Sequence, residues 1–359
     1  MWTSILALIL SVQPASSCVA LVTRDGGALA TSDAQQVILE RTATGSVVEY
    51  ANTYTGSAED FGWIIVVPAP FEAMRDGDLS RFESLAALSQ PRIEVVSVAS
   101  GDEGGGGCGC GQTDAAKSGG AFEVPAEPVD VVAQGFTGTY GYTVVESDDP
   151  DGLMAWLSDN DWVLGANETA VTEYVEEGGY AFVLIDLAAD TPLDSGVTRM
   201  LPPVRIESGS SELMYPARMA RDAVPEFQST RIFVLGDEEA VMTGGWTMTA
   251  LEDVVAEDGQ SAELAYEDAL WEATSGSATY ARIFSGDTDQ GWLTRFETRA
   301  DRDVHTDDVR VELSGGRTPS ETVVARRVRG PAAVSGAFAV GMVPLLLPFL
   351  SVLYARRRD

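Results

Sequence analysis

His305 is the first residue to test for chemistry, because it is the only histidine and a serine–histidine–aspartate site would have to use it. It lies in the acidic stretch 301–308, where Asp303 and Asp307 could join its imidazole as metal ligands. The sequence contains no Gly-x-Ser-x-Gly turn to carry a nucleophile. Among 55 acidic residues, a histidine flanked by aspartates is a common composition. The pattern therefore predicts a solvated histidine and neither a catalytic nor a metal-binding residue.

Glu59 and Asp60 are the carboxylates that most resemble a hydrolase site, because they are adjacent and precede the strand pattern that begins at Gly62. Paired carboxylates carry the acid–base steps of glycoside hydrolases. In so acidic a chain, however, adjacent pairs arise by chance. An exported carboxylate-dependent hydrolase with Glu59, Asp60 or His305 in its site is therefore an alternative interpretation.

Calcium is the metal that suits this composition best, since it takes carboxylate oxygens outside cells. Short acidic clusters at 148–151 and 287–289 offer such oxygens, but neither fits the calcium loop of an EF-hand. Asp149 followed by Pro150 is instead the pattern of a helix N-terminus. The sequence predicts no metal and no cofactor, and a calcium-stabilised surface protein is a second alternative.

The three cysteines, Cys18, Cys108 and Cys110, allow at most one intramolecular disulfide. We expect Cys18 to pair with Cys108 or Cys110, because a ring between the last two would be strained and an exported protein keeps disulfides. A metal site at Cys108 and Cys110 would need more thiol or imidazole ligands than the chain has. Cys18 also follows Ala-Ser-Ser, which loosely resembles a lipoprotein box, so lipidation is an alternative.

The charge of the chain excludes one class of partner. The formal net charge is −32, and Lys117 is the only lysine among 23 basic residues. Such a chain repels phosphate backbones, so nucleic acid is not a partner. The glycines at 104–107 also lack the Lys-Ser/Thr pair that completes a phosphate-binding loop. The acidity is typical of a well-hydrated surface or of salty surroundings.

The N-terminus predicts export. Residues 1–17 carry no charged side chain and end in the small residues Ala15, Ser16 and Ser17, which suit signal peptidase. They lack the lysine or arginine that usually opens a signal peptide, so an uncleaved anchor is an alternative. We interpret 1–17 as a signal peptide that is cleaved before Cys18.

The C-terminus predicts a membrane anchor. Residues 333–355 are uncharged and long enough for a helix to cross a bilayer. The span is flanked by two groups of arginines, Arg326, Arg327 and Arg329 before it and Arg356, Arg357 and Arg358 after it. Because arginines stand on both sides, the translocated N-terminus decides the orientation. The lipid bilayer is thus a partner through this helix, the tail 356–359 is cytoplasmic, and a buried core helix is the alternative.

Between these ends, the apolar patterns predict one extracytoplasmic domain at 18–325. Strand patterns occur at 19–22, 37–39, 48–54, 62–67, 93–98, 129–145, 180–187, 202–206, 231–235 and 309–313. Helical patterns occur at 80–89, after Asp149, after Asn167 and at 262–273. A loop rich in glycine and cysteine occupies 100–128. No Rossmann or barrel rhythm occurs, so the predicted fold class is α+β, strand-rich and mixed, with several short helices.

One stretch and several later segments carry a resemblance to a known family. The stretch at 56–70 reads Gly-Ser-Ala-Glu-Asp-Phe-Gly-Trp-Ile-Ile-Val-Val-Pro-Ala-Pro. It is followed by the central loop and by segments at 142–146, 153–162, 180–187 and 211–236. This order resembles an uncharacterised bacterial family of exported proteins, domain of unknown function 2330, over about residues 18–300. The resemblance implies a signal peptide, a cysteine at the mature start and often a C-terminal anchor, and it implies no activity.

The sequence therefore predicts a single-pass membrane protein whose domain lies outside the cytoplasm, in the periplasm or at the cell surface. We expect a non-enzymatic binding or scaffold domain of the bacterial envelope, because no catalytic signature accompanies the predicted topology. A deep acidic cleft with converging carboxylates would favour the hydrolase instead, whereas a smooth surface would leave the binding interpretation in place.

Overall fold

The computed structural model describes residues 20–24, 34–54, 61–97, 129–188, 199–221, 227–251, 253–257 and 259–328. The strands are β1 (Ala20–Arg24), β2 (Ala34–Arg41), β3 (Ser46–Tyr54), β4 (Gly62–Pro68), β5 (Phe71–Asp76), β6 (Arg92–Ser97), β7 (Asp130–Phe136), β8 (Tyr140–Glu146), β9 (Trp162–Val163), β10 (Tyr180–Leu187), β11 (Arg199–Met200), β12 (Val204–Ser208), β13 (Leu213–Tyr215), β14 (Phe227–Gly236), β15 (Ala240–Thr243), β16 (Thr247–Ala250), β17 (Asp253–Ala256), β18 (Thr279–Thr288), β19 (Gly291–Asp301), β20 (Val309–Leu313), β21 (Ser320–Glu321) and β22 (Val323–Val328). The α-helices are α1 (Leu79–Leu88), α2 (Pro150–Asp159), α3 (Glu168–Glu177) and α4 (Ala262–Thr274), and short 3₁₀ helices lie at Gly165–Asn167, Ala217–Ala220 and Arg302–Val304.

Two large sheets organise the molecule. One has six strands in the order β7-β8-β10-β4-β1-β9, and the other runs β16-β18-β19-β14-β2-β3-β12-β5, with β11 beside β3 and β21 beside β18. Smaller sheets have the orders β13-β20-β15 and β17-β22-β6. Most neighbouring strands are antiparallel, while β2 with β14, β16 with β18, and both pairs of the β17-β22-β6 sheet are parallel. The predicted α+β class is confirmed.

The main core lies between the two large sheets, and it explains the continuous apolar runs of β4 and β10. Successive side chains of a strand point to opposite faces. Trp63 and Ile65 therefore face the main core, whereas Ile64 and Val66 face a second core that α2 and α3 cover. Strands that are covered on both faces show no polar alternation.

The opposite face of the ten-stranded sheet is covered by α1. Phe82 and Leu85 of this helix are buried against Ile38 and Phe233 of the sheet. The helix begins where predicted because the Asp78 carboxylate accepts a hydrogen bond from the Ser80 amide at 2.9 Å. On the β17-β22-β6 sheet, α4 occupies the corresponding place with a buried stripe of apolar residues.

Two other predicted helix boundaries are also confirmed, with one difference in detail. Gly178 ends α3 with a φ of 71°, a conformation that favours glycine. Asp149 precedes α2 as predicted, but its carboxylate forms no capping bond. Instead, the Ser147 hydroxyl accepts a hydrogen bond from the Asp149 amide at 3.1 Å.

Of the helices in the described ranges, none has both the length and the apolar character that a bilayer span requires. The predicted span at 333–355, the signal peptide at 1–17, the loop at 100–128 and the tail at 356–359 all lie outside those ranges. They stay predictions from the sequence.

Candidate functional site

His305 is buried, so the prediction that it is solvated is wrong. The 3₁₀ turn at Arg302–Val304 folds it inward, where it is 1% exposed and meets the Trp246 ring edge-on at a centroid distance of 5.4 Å. Its Nδ1 lies 3.1 and 3.2 Å from the carbonyl oxygens of Asp301 and Arg302. Because carbonyl oxygens only accept hydrogen bonds, Nδ1 carries the proton. Burial lowers the pKa of His305, which favours the neutral imidazole.

The neighbouring aspartates do not gather around His305. The Asp303 carboxylate is almost fully exposed, and the Asp307 carboxylate accepts a hydrogen bond from the Gly245 amide at 2.8 Å. Asp287 and Asp289 are exposed at the turn between β18 and β19. Within the described ranges, no group of three or more histidine, cysteine, aspartate or glutamate side chains could hold a metal ion.

Several residues singled out from the sequence cannot be placed. Glu59, Asp60, Cys18, Cys108 and Cys110 lie outside the described residues, as do Arg329, Arg356, Arg357 and Arg358. Arg326 and Arg327 lie in β22, and the Arg326 side chain is exposed. The expected disulfide between Cys18 and Cys108 or Cys110 therefore remains a prediction.

A cleft that sequence reasoning did not identify is the candidate functional site. It lies on the α1 side of the ten-stranded sheet, at the N-terminus of α1, and has a volume of about 370 Å³. We call it the arginine–carboxylate cleft, and it is lined by Glu40, Glu49, Arg75, Asp76, Gly77, Asp78, Arg81 and Arg205. The cleft is wide open to solvent, and its volume is comparable with that of the smallest small-molecule sites in proteins, roughly 300 Å³.

Strand register brings the charges of this cleft together. Glu49 of β3 lies opposite Arg205 of β12, and Arg205 lies opposite Arg75 of β5. Directly paired residues in neighbouring strands have their side chains on the same face of the sheet. Arg81 reaches the same place from the first turns of α1. The cleft therefore combines residues that are up to 165 positions apart in the sequence.

Glu49 is the centre of the ion-pair network. Its Oε1 accepts hydrogen bonds from the guanidinium groups of both Arg81 and Arg205. Arg81 also donates to Glu40 at 2.7 Å, and Arg205 lies 3.5 Å from Glu40 and 3.4 Å from Glu207. Burial alone would lower the pKa of Arg205. The hydrogen bond and the charge of Glu49, the charge of Glu40 and the hydrogen bond to Glu207 together raise it. Arg205 is thus held in its charged form.

The other two carboxylates of the cleft also have defined partners. Asp76 accepts hydrogen bonds from the hydroxyls of Thr137 and Thr139, which lie in the turn between β7 and β8. Asp78 caps α1, and its hydrogen bonds with Ser80 lower its pKa. Each carboxylate in the cleft is therefore engaged by an arginine, a hydroxyl or a helix amide.

The second carboxylate oxygen of Glu49, Oε2, differs from the other acceptors of the cleft. Glu49 is 1% exposed, and among the described residues its Oε2 has no hydrogen-bond partner. Gly77 passes close to this oxygen, since a Cβ at position 77 would lie 3.2 Å from Oε2 and 2.9 Å from the Cβ of Pro203. A buried carboxylate oxygen without a donor is destabilising. This oxygen is enclosed beside Gly77 and Pro203 and is not presented to the open cleft.

The sequence could not have revealed this site. Arg205 alternates with apolar residues in β12, the pattern of a half-solvated strand, while Glu40 and Glu49 are single charged residues next to apolar runs in β2 and β3. Only the strand order β2-β3-β12-β5 and the placement of α1 bring them together.

Comparison with known proteins shows the family and adds no activity. The model of a family described as uncharacterised proteins conserved in bacteria, DUF2330, matches residues 12–318. The chain belongs to this family, as the resemblance implied. The curated proteins give no match, and neither do the solved structures.

Proposed function

We propose that this DUF2330 protein is a membrane-anchored, extracytoplasmic binding protein of the bacterial cell envelope and that the arginine–carboxylate cleft is its binding site. The topology is inferred from the predicted signal peptide at 1–17 and the predicted span at 333–355. The family shown by the comparison is bacterial.

The engagement of the carboxylates is the observation that carries the choice of binding over hydrolysis. A general acid or nucleophile must be free to exchange a proton or attack the substrate. In the cleft, Glu40 and Glu49 are paired with arginines, and Asp76 and Asp78 hold a loop and a helix N-terminus. Such carboxylates position their neighbours and are poorly suited to acid–base work.

The polar groups of the cleft define the class of ligand. The Arg75 side chain is 57% exposed and presents donors to the cleft, although it also pairs with Glu207. The Glu40 carboxylate, whose side chain is 27% exposed, offers an acceptor beside the arginines. We infer a small polar ligand with both acceptors and donors, such as a polyhydroxylated or zwitterionic molecule. A purely anionic ligand would meet four carboxylates in the cleft and is disfavoured.

Binding is tested with full-length protein in nanodiscs, titrated by calorimetry with N-acetylglucosamine, glucose, glutamate and glycine. We expect at least one of these to bind and Arg75→Ala to weaken it by about tenfold or more, since a hydrogen bond to a charged group contributes about 1.5–3 kcal/mol. Arg92→Ala is the matched control, because Arg92 is about equally exposed and pairs with Glu94 and Glu321 away from the cleft.

Two results would contradict the proposal. Equal affinity of Arg75→Ala and wild type would remove the cleft as the binding site. Turnover of any of these compounds, or of a glycoside built from them, would favour the hydrolase.

A further inference from the structure

Among the described residues, the sheet β17-β22-β6 contains the strand nearest in sequence to the predicted membrane span. All three strands run parallel, and Val328 at the end of β22 lies opposite Ser97 at the end of β6. The two strands therefore finish at the same edge of the sheet. We call this edge, with the side chains of Val95 and Arg326, the β6–β22 end.

One face of the sheet is covered by α4 only in part. Val254, Ala256 and Val324 are buried beneath the helix. Val95 lies opposite Arg326 on this same face, but in the edge strand β6. The helix does not cover it, and it is 66% exposed. The exposed Val95 side chain thus lies beside the exposed Arg326, at the edge of the sheet where β22 ends.

The connection from this end to the span is short. Only residues 329–332 separate Val328 from the start of the predicted span at 333, and a fully extended segment of that length reaches about 17 Å at most. A domain of about 300 residues has a radius of gyration of roughly 19 Å. The connection is therefore too short for the domain to stand away from the membrane.

On β22 the exposed charge at this end is positive, in contrast to the chain as a whole, although the exposed Glu257 follows the end of the neighbouring β17. Arg326 has no ion pair with any residue in the described ranges, and Arg327 and Arg329 follow it in sequence. Glu94 points to the opposite face of β6 and is paired with Arg92, which also binds Glu321 at 2.7 Å. Clustered arginines next to a membrane span bind anionic lipid headgroups.

We infer that the β6–β22 end rests on the bilayer surface, with Val95 at headgroup depth and Arg326 bound to anionic lipid phosphates. The inference depends on the membrane anchor of the proposed function. It adds a fixed orientation, in which the end of the β17-β22-β6 sheet faces the lipid.

The test places the fluorescent amino acid dansylalanine at position 95 of the full-length chain. The protein is reconstituted in phosphatidylcholine vesicles that contain phosphatidylglycerol and lipid spin-labelled at the headgroup. We expect quenching at position 95 at least about twofold stronger than at position 136, because a surface-bound residue meets the quencher. Phe136 is a suitable control, since it is highly exposed and lies in the six-stranded sheet.

The variant Arg326→Gln separates lipid binding from simple proximity. We expect it to weaken the quenching at position 95 in vesicles with phosphatidylglycerol and to leave it unchanged in vesicles without. Equal, weak quenching at positions 95 and 136 in protein that floats with the vesicles would overturn the inference and leave the anchor intact. Protein that does not float with the vesicles would overturn the anchor itself, and the inference with it.

Discussion

Glu49 and His305 show how burial gives single residues a role that their sequence context hides. Both are 1% exposed, although Glu49 is an acidic residue and His305 lies in an acidic stretch of the sequence. Two guanidinium groups, those of Arg81 and Arg205, donate hydrogen bonds to one oxygen of Glu49. His305 has no such partner and stays neutral, with its proton shared between two backbone carbonyls. The first residue thus forms a charged site, and the second stabilises a turn.

The neutral state of His305 predicts a pH dependence of stability. Because burial lowers its pKa in the folded state, the unfolded chain takes up a proton first as pH falls. The contribution of His305 is complete above the unfolded pKa of about 6.5 and is lost as pH falls from there toward the folded pKa. Below pH 6.5, each pH unit should lower the free energy of unfolding by up to about 1.4 kcal/mol through this group.

The variant His305→Asn isolates this effect, since its amide can donate to the same carbonyls but does not titrate. Urea unfolding between pH 7.5 and 5.5 should show a smaller loss of stability in the variant than in the wild type. Parallel curves for the two proteins would show that His305 does not couple folding to protons.

At the scale of elements, a buried ionic network connects α3 with the small β13-β20-β15 sheet. Asp308, just before β20, accepts hydrogen bonds from the Tyr174 hydroxyl of α3 and from Arg218, whose Nη2 lies 2.9 Å away. Arg218 also binds Glu177 and lies 4.1 Å above the Tyr174 ring. Burial and the charge of Asp308 raise the pKa of Tyr174 well above its usual value. The network fixes the helical layer to the sheet.

Removing the charge of Asp308 should destabilise the fold. In Asp308→Asn, Arg218 keeps Glu177 but loses its fully buried partner, so we expect a loss of about 3 kcal/mol in the free energy of unfolding. The surface control Asp303→Asn should change it by less than about 0.5 kcal/mol. Urea unfolding of both variants is the measurement, and an equal effect of the two would contradict the network's role.

The elements also show what the sequence could predict. The helices α1 to α4 and β10 follow clean apolar spacing and were predicted within a few residues of their bounds. The hairpin β18–β19 was missed, because Arg295 and Glu297 interrupt its apolar pattern. Arg295 and Glu297 are buried, and Glu297 pairs with both Arg295 and Arg231. Burial alone would raise the pKa of Glu297, but these two arginines lower it to about 2. In the sequence, charged residues that pair with one another in the interior cannot be distinguished from charged residues of an exposed strand.

At the scale of the whole molecule, the proposed orientation places the β6–β22 end at the membrane surface. The acidic chain presents an exposed arginine, Arg326, beside the predicted membrane span, while the arginine–carboxylate cleft opens at the N-terminus of α1. The fold class and the family were predictable from the sequence. The cleft was not, because it depends on strand order and on residues far apart in the chain.

The most direct test of the central claim is the membrane topology of the full-length protein. Cells would express the chain with an epitope tag after Asp359, and spheroplasts would be treated with protease before their membranes are washed with carbonate. We predict that the untreated protein stays in the washed membranes, and that protease degrades the domain at 18–325 but spares the tag. Release of intact protein by carbonate, or digestion of the tag from outside, would contradict a membrane-anchored extracytoplasmic binding protein.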